Sequence, residues 1–265
     1  DIGNTTGDID KPFQTIAFAL GMVYATENNP IIIHLIPGDY IDEDYPIIMS
    51  SNISLIGSDN GESSLDAKGL SRVIHIQFVE NVTLENVLIR GGYDPGYPGG
   101  GGMSVWRSDN ISIENSIFTD NIAGVGGGFD ISESSNINLS NLDIFNNTGW
   151  DEGGGFSINA NTDITVADNL NVYDNSAEYG AGGIYCQHAN ISLTNSIINN
   201  NEVVSDGNNK GGGIKLNTTG SSSVETINNS TISNCIISNN YADNGGGISY
   251  NVFEGGEVPP TLVIS

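Results

Sequence analysis

The chain has 265 residues, and 7 Lys and Arg against 32 Asp and Glu leave a formal net charge of −25. So few scattered cations cannot line a groove that releases phosphate counterions, which excludes nucleic acid as a partner and argues against anionic membrane surfaces. Two cysteines are no disulfide framework, and no apolar run approaches the roughly 18 to 20 residues of a membrane span. The polar share comes from 35 Asn rather than from charge, since only 15% of the chain is charged. An acidic, Asn-rich, cysteine-poor chain that begins at Asp1 rather than Met reads as extracellular or cell-surface.

In chain order, residues 1–30 form an N-terminal segment whose stretch from Lys11 to Leu20 predicts a capping helix. Pro12 stands near its start, and Phe13, Ile16, Ala17 and Leu20 share one face. Residues 31–265 read as one β-solenoid domain, opening with the strand-sized run from Ile31 to Ile36. Asp39, Asp42, Glu43 and Asp44 follow at one turn. From there the chain repeats itself. Asn81 to Asn86, Asn110 to Asn115, Asn136 to Asn141 and Asn190 to Asn195 share the form Asn-aliphatic-polar-aliphatic-polar-Asn. A degenerate copy ends at Asn169 and another at Asn234, and the closing Asn residues from Asn86 onward are spaced by 29, 26, 28, 26 and 39 residues. The last step holds an insertion. Each closing Asn opens a second pattern, Asn-x-x-apolar-x-(Asp/Asn)-Asn, and a third, Gly-Gly-apolar, follows after a variable gap.

A period of about 26 to 30 residues made of short alternating stretches predicts an all-β, right-handed parallel β-helix of about eight coils, in which equivalent residues stack about 4.8 Å apart. Asn suits the bends because it tolerates left-handed backbone and its amide stacks. Two structural ladders are expected: Asn115, Asn141, Asn169, Asn195 and Asn234, and Asn121, Asn147, Asn175, Asn201 and Asn240. Alternation points the columns Val82/Ile111/Ile137/Ile191, Leu84/Ile113/Leu139/Leu193 and Ile89/Phe118/Ile144/Val172/Ile198/Ile237 inward, with Cys186 and Cys235 as buried thiols two coils apart, too far to bridge. The outward column Leu88, Ile117, Asp143, Asn171, Ile197 and Ile236 is unusually aliphatic. It marks either a partner surface or the underside of the 93–100 and 221–229 segments. The run from Thr261 to Ser265 is a further strand with nothing after it, which suits continuation or self-assembly.

Two resemblances follow from these residues. The run Pro12-Phe13-Gln14-Thr15-Ile16, with Ile33 to Tyr40 containing Pro37-Gly38-Asp39-Tyr40, resembles the start of pectate-lyase-like β-helix domains. Phe118 to Asn121, with Ile144 to Asn147, Val172 to Asn175, Ile198 to Asn201 and Ile237 to Asn240, resembles the F-x-x-N repeat of the polymorphic outer membrane protein family. In the paired Gly-Gly-Ala-aliphatic tetrapeptide this chain has Gly for Ala. The resemblances imply the fold, but that fold hosts lyases, hydrolases, esterases, adhesins and scaffolds.

The catalytic sets that such enzymes carry are incomplete here. A lyase needs Arg or Lys beside calcium. The cations are Lys11, Lys68, Arg72, Arg90, Arg107, Lys210 and Lys215, of which Arg90 and Arg107 are the pair expected to share a face, as catalysts or as ion-pair partners. Of the hydrolase motifs only Asn161-Thr162-Asp163 is present. Asp94, Asp151, Glu152, Glu178, Glu202, Asp206 and Asp243 fall between the Asn and Gly-Gly patterns, either as an oxygen-rich ridge for calcium or as a solvated acidic face. Tyr93, Tyr97, Trp106, Trp150 and Tyr179 near the same loops are candidates for stacking on sugars or for loop packing. Sequons stand at Asn4, Asn52, Asn81, Asn110, Asn138, Asn146, Asn190, Asn217, Asn228 and Asn229. Two readings result: a non-catalytic, exported cell-surface β-helix serving as adhesin, stalk or assembling component, whose partners are other protein chains or cell-surface carbohydrate, and a carbohydrate-active enzyme or sugar-binding module using the loop edge.

Overall fold

Each short alternating stretch pairs in parallel with its counterpart one repeat later, so the repeat becomes one coil of a solenoid. The computed structural model describes residues 7–58, 62–97, 99–160, 164–205, 211–217, 229–251 and 261–265. Asn4, Asp206, Lys210, Asn228 and the Asn161-Thr162-Asp163 triplet lie outside them.

Three parallel sheets of fifteen, eight and five strands run along the axis. The broad sheet collects the Asn-started strands, such as Glu80–Glu85, Asp109–Glu114 and Ser135–Phe145, with Val82, Ile111 and Ile137 opposite one another. The eight-stranded sheet collects the stretches that follow Gly-Gly, and runs from Ile47–Ile48 through Met103–Trp106 and Phe129–Ser132 to Ile248–Asn251. The five-stranded sheet holds the short pieces between them, among them Tyr93–Asp94 and Thr148–Glu152.

The inward columns form one continuous core in which Phe118, Phe129 and Phe156 stack with ring centroids 4.8 and 4.7 Å apart. In the degenerate coil, Thr165 and Ala167 stand opposite Ile191 and Leu193 and fill the columns with smaller side chains. The Gly-Gly pairs have a steric cause: a Cβ on Gly127 would lie 2.5 Å from the Gly154 carbonyl oxygen, and one on Gly154 would lie 2.3 Å from that of Gly182. Any side chain there would push neighbouring coils apart.

Two expectations are corrected. The capping helix is Ile16–Met22, not Lys11 to Leu20, and it buries Ile16 and Ala19. The start is fixed by Thr15, whose Oγ1 accepts from the Phe18 amide at 3.1 Å, and by Glu43, whose carboxylate accepts from the Ile16 amide at 2.9 Å. Cys235 is half-buried rather than enclosed, whereas Cys186 is buried; both are free thiols. Thr261–Ile264 forms the further strand expected and pairs with Asn229–Ser233 as a rung of the broad sheet.

Candidate functional site on the outward face of the eight-stranded sheet

Successive residues of a strand alternate between faces. In the eight-stranded sheet Met103, Phe129, Phe156, Ile184 and Ile214 point into the core, so the next column, His75, Ser104, Asp130, Ser157, Tyr185 and Lys215, points outward. Two residues on stand Gln77, Trp106, Ser132, Asn159, Gln187 and Asn217. An outward polar column is ordinarily solvated. Here Asp130 is 0% exposed, and Ser104, Ser132, Ser157, Tyr185 and Lys215 are buried beside it. Buried polar groups need partners, and most of these have them.

Asp130 accepts from Asn159 Nδ2 at 2.8 Å through Oδ1 and from Ser132 Oγ at 2.6 Å through Oδ2. Burial nevertheless raises its pKa to about 7, with Ser132, Asn159 and Arg72 opposing the rise and the Glu152 charge adding to it. Glu152 is half-buried and also sits above the usual carboxylate range through loss of solvent, against a hydrogen bond to Tyr185 and the charge of Lys215. The Lys215 ammonium lies 5.4 Å from the Tyr185 ring centroid, and Asn217 Nδ2 donates to the Tyr185 hydroxyl at 3.3 Å. On the other flank Arg72 pairs with Asp94, and its Nη1 donates to His75 Nδ1 at 2.8 Å. That leaves the other imidazole nitrogen to donate to Gln77 Oε1, at 2.8 Å. Burial, and after it the Arg72 charge, lowers the pKa of His75 against the pull of Gln77 and Asp94. Ser104 Oγ and Asn159 Oδ1 are buried without a partner among the described residues.

The residues singled out from the sequence are dispersed. Asp94 is taken by Arg72, while Asp151 and Glu178 are exposed. Among the described residues the acids occupy different register positions: Asp94 stands opposite Ala123, which faces Gly149, and Glu202 stands opposite Ser176. Among the described residues no group of three or more His, Cys, Asp or Glu is placed to hold a metal ion. Arg90 and Arg107 do not share a face. Arg90 pairs with Asp66 and Asp39 at the broad sheet, and Arg107 pairs with Glu133 at a bend.

Of the aromatic candidates, Tyr93 and Trp150 meet edge to face at 5.7 Å on the five-stranded sheet, and Tyr179 is exposed. Tyr97 is 72% exposed, and its hydroxyl is hydrogen-bonded to Ser132 beside Asp130. Trp106 stands at the edge of the outward face.

The Asn columns differ from one another. Asn121, Asn147, Asn175, Asn201 and Asn240 form an unbroken chain, each Nδ2 donating to the next Oδ1 at 2.9 to 3.0 Å. Asn141 bonds Asn115 at 3.0 Å and Asn169 bonds Asn141 at 2.7 Å, but Asn195 turns to Asp168 instead of Asn169, and only Asn234 rejoins it. That ladder is interrupted because a carboxylate one residue earlier is the stronger acceptor. Several sequon amides are already donors: Asn81 to Asn52 at 2.8 Å, Asn110 to Asn81, and Asn138 to Ser112 at 3.2 Å. Asn190 accepts from the Asn229 amide at 2.6 Å, Asn146 holds a left-handed bend at φ 54°, and Asn217 is buried.

His75, Asp130, Tyr185 and Lys215 were not reached by motif. The signal that finds Asp130, Tyr185 and Lys215 is the residue directly after each Gly-Gly-apolar strand start, on strands buried on both faces, and His75 joins them only through its register with Ser104.

Residues 51–230 match the family model described as the right handed beta helix region. Among solved structures, Escherichia coli ybhc aligns at 13% identity over 94% of this chain and 74% of that one, with a TM-score of 0.54. The pectate lyase Pel9A aligns at 15% identity over 97% and 72%, with a TM-score of 0.50. The pectin methylesterase PemA from Erwinia chrysanthemi aligns at 13% identity over 87% and 76%, with a TM-score of 0.47. At such identities the likeness is one of fold. No curated protein sequence matches the chain.

Proposed function

Because the chain belongs to the right-handed β-helix family, we propose that it is a carbohydrate-processing solenoid whose site is the outward face of the eight-stranded sheet. The observation that carries this reading is a pair of carboxyl groups held above their ordinary range, Asp130 on that face and Glu152 at the end of the Thr148–Glu152 strand of the five-stranded sheet, with Arg72 and Lys215 buried nearby. A carboxyl of raised proton affinity is what the acid step of glycan cleavage requires near neutral pH. Glu152, half-buried, is the group a sugar reaches, and it gives or takes the proton. Asp130 is fully buried and feels the Glu152 charge, which adds to the rise in its own proton affinity. Arg72 and Lys215 add positive charge there, which favours a glycan bearing carboxylates. That a pectate lyase shares the fold supports a glycan as the substrate class.

The test is incubation of the protein with pectin, polygalacturonate, alginate and xylan, read by released reducing ends. Release from at least one is expected, with Glu152→Gln slowing it about a hundredfold or more. No release from any of the four would overturn the reading.

A second reading, the non-catalytic, exported surface protein, is favoured by one observation. Ile197 and Ile236 are neighbours in register on the outer face of the broad sheet, 41% and 60% exposed, where a partner chain would bury them. The likeness to polymorphic outer membrane proteins belongs with this reading and rests on the repeat residues alone. Among the described residues no helix is long and apolar enough to cross a membrane.

A further inference from the structure

The bends after five strands of the eight-stranded sheet are held in the left-handed region by Phe78 (φ 55°), Arg107 (47°), Glu133 (50°), Ala160 (50°) and His188 (50°). At the solenoid's other repeating bends, Asn or Asp takes this strained position, as at Asn115, Asp120 and Asn146. A bulky aromatic there is an outlier that packing does not explain, because Phe78 is 61% exposed.

Its ring is nonetheless fixed, 5.3 Å from that of Trp106 at 46°. The Arg107 guanidinium covers Trp106 at 4.8 Å from the ring centroid. Glu133 binds both, accepting from Arg107 Nε at 2.7 Å and from Trp106 Nε1 at 3.4 Å. Trp106 stands between Gln77 and Ser132 in register, so this aromatic edge is continuous with the face that holds Asp130.

We propose that Phe78 and Trp106 form a subsite that stacks on the apolar face of a pyranose ring, with Arg107 and Glu133 meeting its hydroxyls. The bound glycan lies along the solenoid axis. Coils repeat about every 4.8 Å, close to the length of one pyranose in an extended chain, so successive rings fall on successive coils. The inference rests on the reading that the ligand is a glycan, but not on cleavage.

Trp106 is its own reporter once the second of the two tryptophans is removed as Trp150→Phe. In that background, hexasaccharides of galacturonate, xylose, glucose and N-acetylglucosamine are titrated against tryptophan fluorescence. At least one is expected to give a saturable change, and Phe78→Asn to weaken it about tenfold while melting at the same or a higher temperature, since Asn relieves the bend. A structural role alone would not separate affinity from stability in this way. Glu152→Gln, tested alongside, is expected to bind as the parent does. If it also keeps full activity on polysaccharide, the acid–base assignment falls and the subsite stands. No fluorescence change with any hexasaccharide, or undiminished affinity in Phe78→Asn, would overturn the subsite.

Discussion

Asp130 concentrates the chemistry of the outward face in one side chain. In the unfolded chain it is an ordinary aspartate with a pKa near 3.8, whereas in the fold burial raises it to about 7. Between those values the folded state binds more protons than the unfolded state, so this group's contribution to stability is complete below about pH 4. It declines as pH rises and is lost above about 7. At roughly 1.4 kcal/mol per pH unit the whole effect amounts to a few kcal/mol. Glu152, shifted in the same direction, adds to the slope. Asn at position 130 keeps the bond from Asn159 through its oxygen, gives one to Ser132 through its amide, and carries no charge. Asp130→Asn should therefore melt above the wild type at pH 8, and the advantage should vanish at pH 4. Parallel melting curves across that range would show that Asp130 is not the group responsible. Cys186, by contrast, is a packing residue whose thiol burial has pushed up to about 12, far from reactivity.

At the scale of the element, the two Asn ladders make opposite demands. Asn147 is fully buried, accepts from the Asn121 amide at 3.1 Å, and donates to the Phe118 carbonyl at 2.9 Å. Asn147→Leu strips partners from those backbone groups, at about 1 to 3 kcal/mol for each one left unsatisfied. Asn141 holds an exposed bend where water replaces the lost amide, so Asn141→Leu should cost less despite its strain at φ 54°. Urea melts of the two variants decide this, and equal losses would refute the distinction. The ladders and core columns were legible in the sequence because stacking forces equivalent positions to repeat, as Val82, Ile111 and Ile137 do. The candidate site was not, because its column reads His75, Ser104, Asp130, Ser157, Tyr185 and Lys215, alike in polarity only. The loop acids are dispersed for a related reason. The segment between the Asn and Gly-Gly patterns varies in length, and the register slips between Ala123 and Val125, so residues near in pattern part in space. The helix start was misplaced because one of its caps, Glu43, comes from 27 residues away.

Over the whole molecule, each coil packs mainly on the coil before and the coil after it, so stability approximates a sum of coil and interface contributions. Phe129 occupies the middle of that array, between Phe118 at 4.8 Å and Phe156 at 4.7 Å, and its removal opens a cavity where the core is widest in aromatic contact. Phe129→Ala should cost about 3 to 5 kcal/mol. The location matters more than the size. A loss at the centre weakens both interfaces of the coil, so the N-terminal coils under the Ile16–Met22 helix and the C-terminal coils beyond Phe156 no longer need to unfold together. Ile237→Ala, a truncation in the partly buried last coils, removes a similar contact from one side only and should lower the melting temperature without dividing the transition. Calorimetry separates the cases, with two resolved transitions expected for Phe129→Ala and one for Ile237→Ala. A single narrow transition in both would mean that coupling extends beyond adjacent coils, carried by the hydrogen-bonded chain from Asn121 to Asn240 that crosses the same coils.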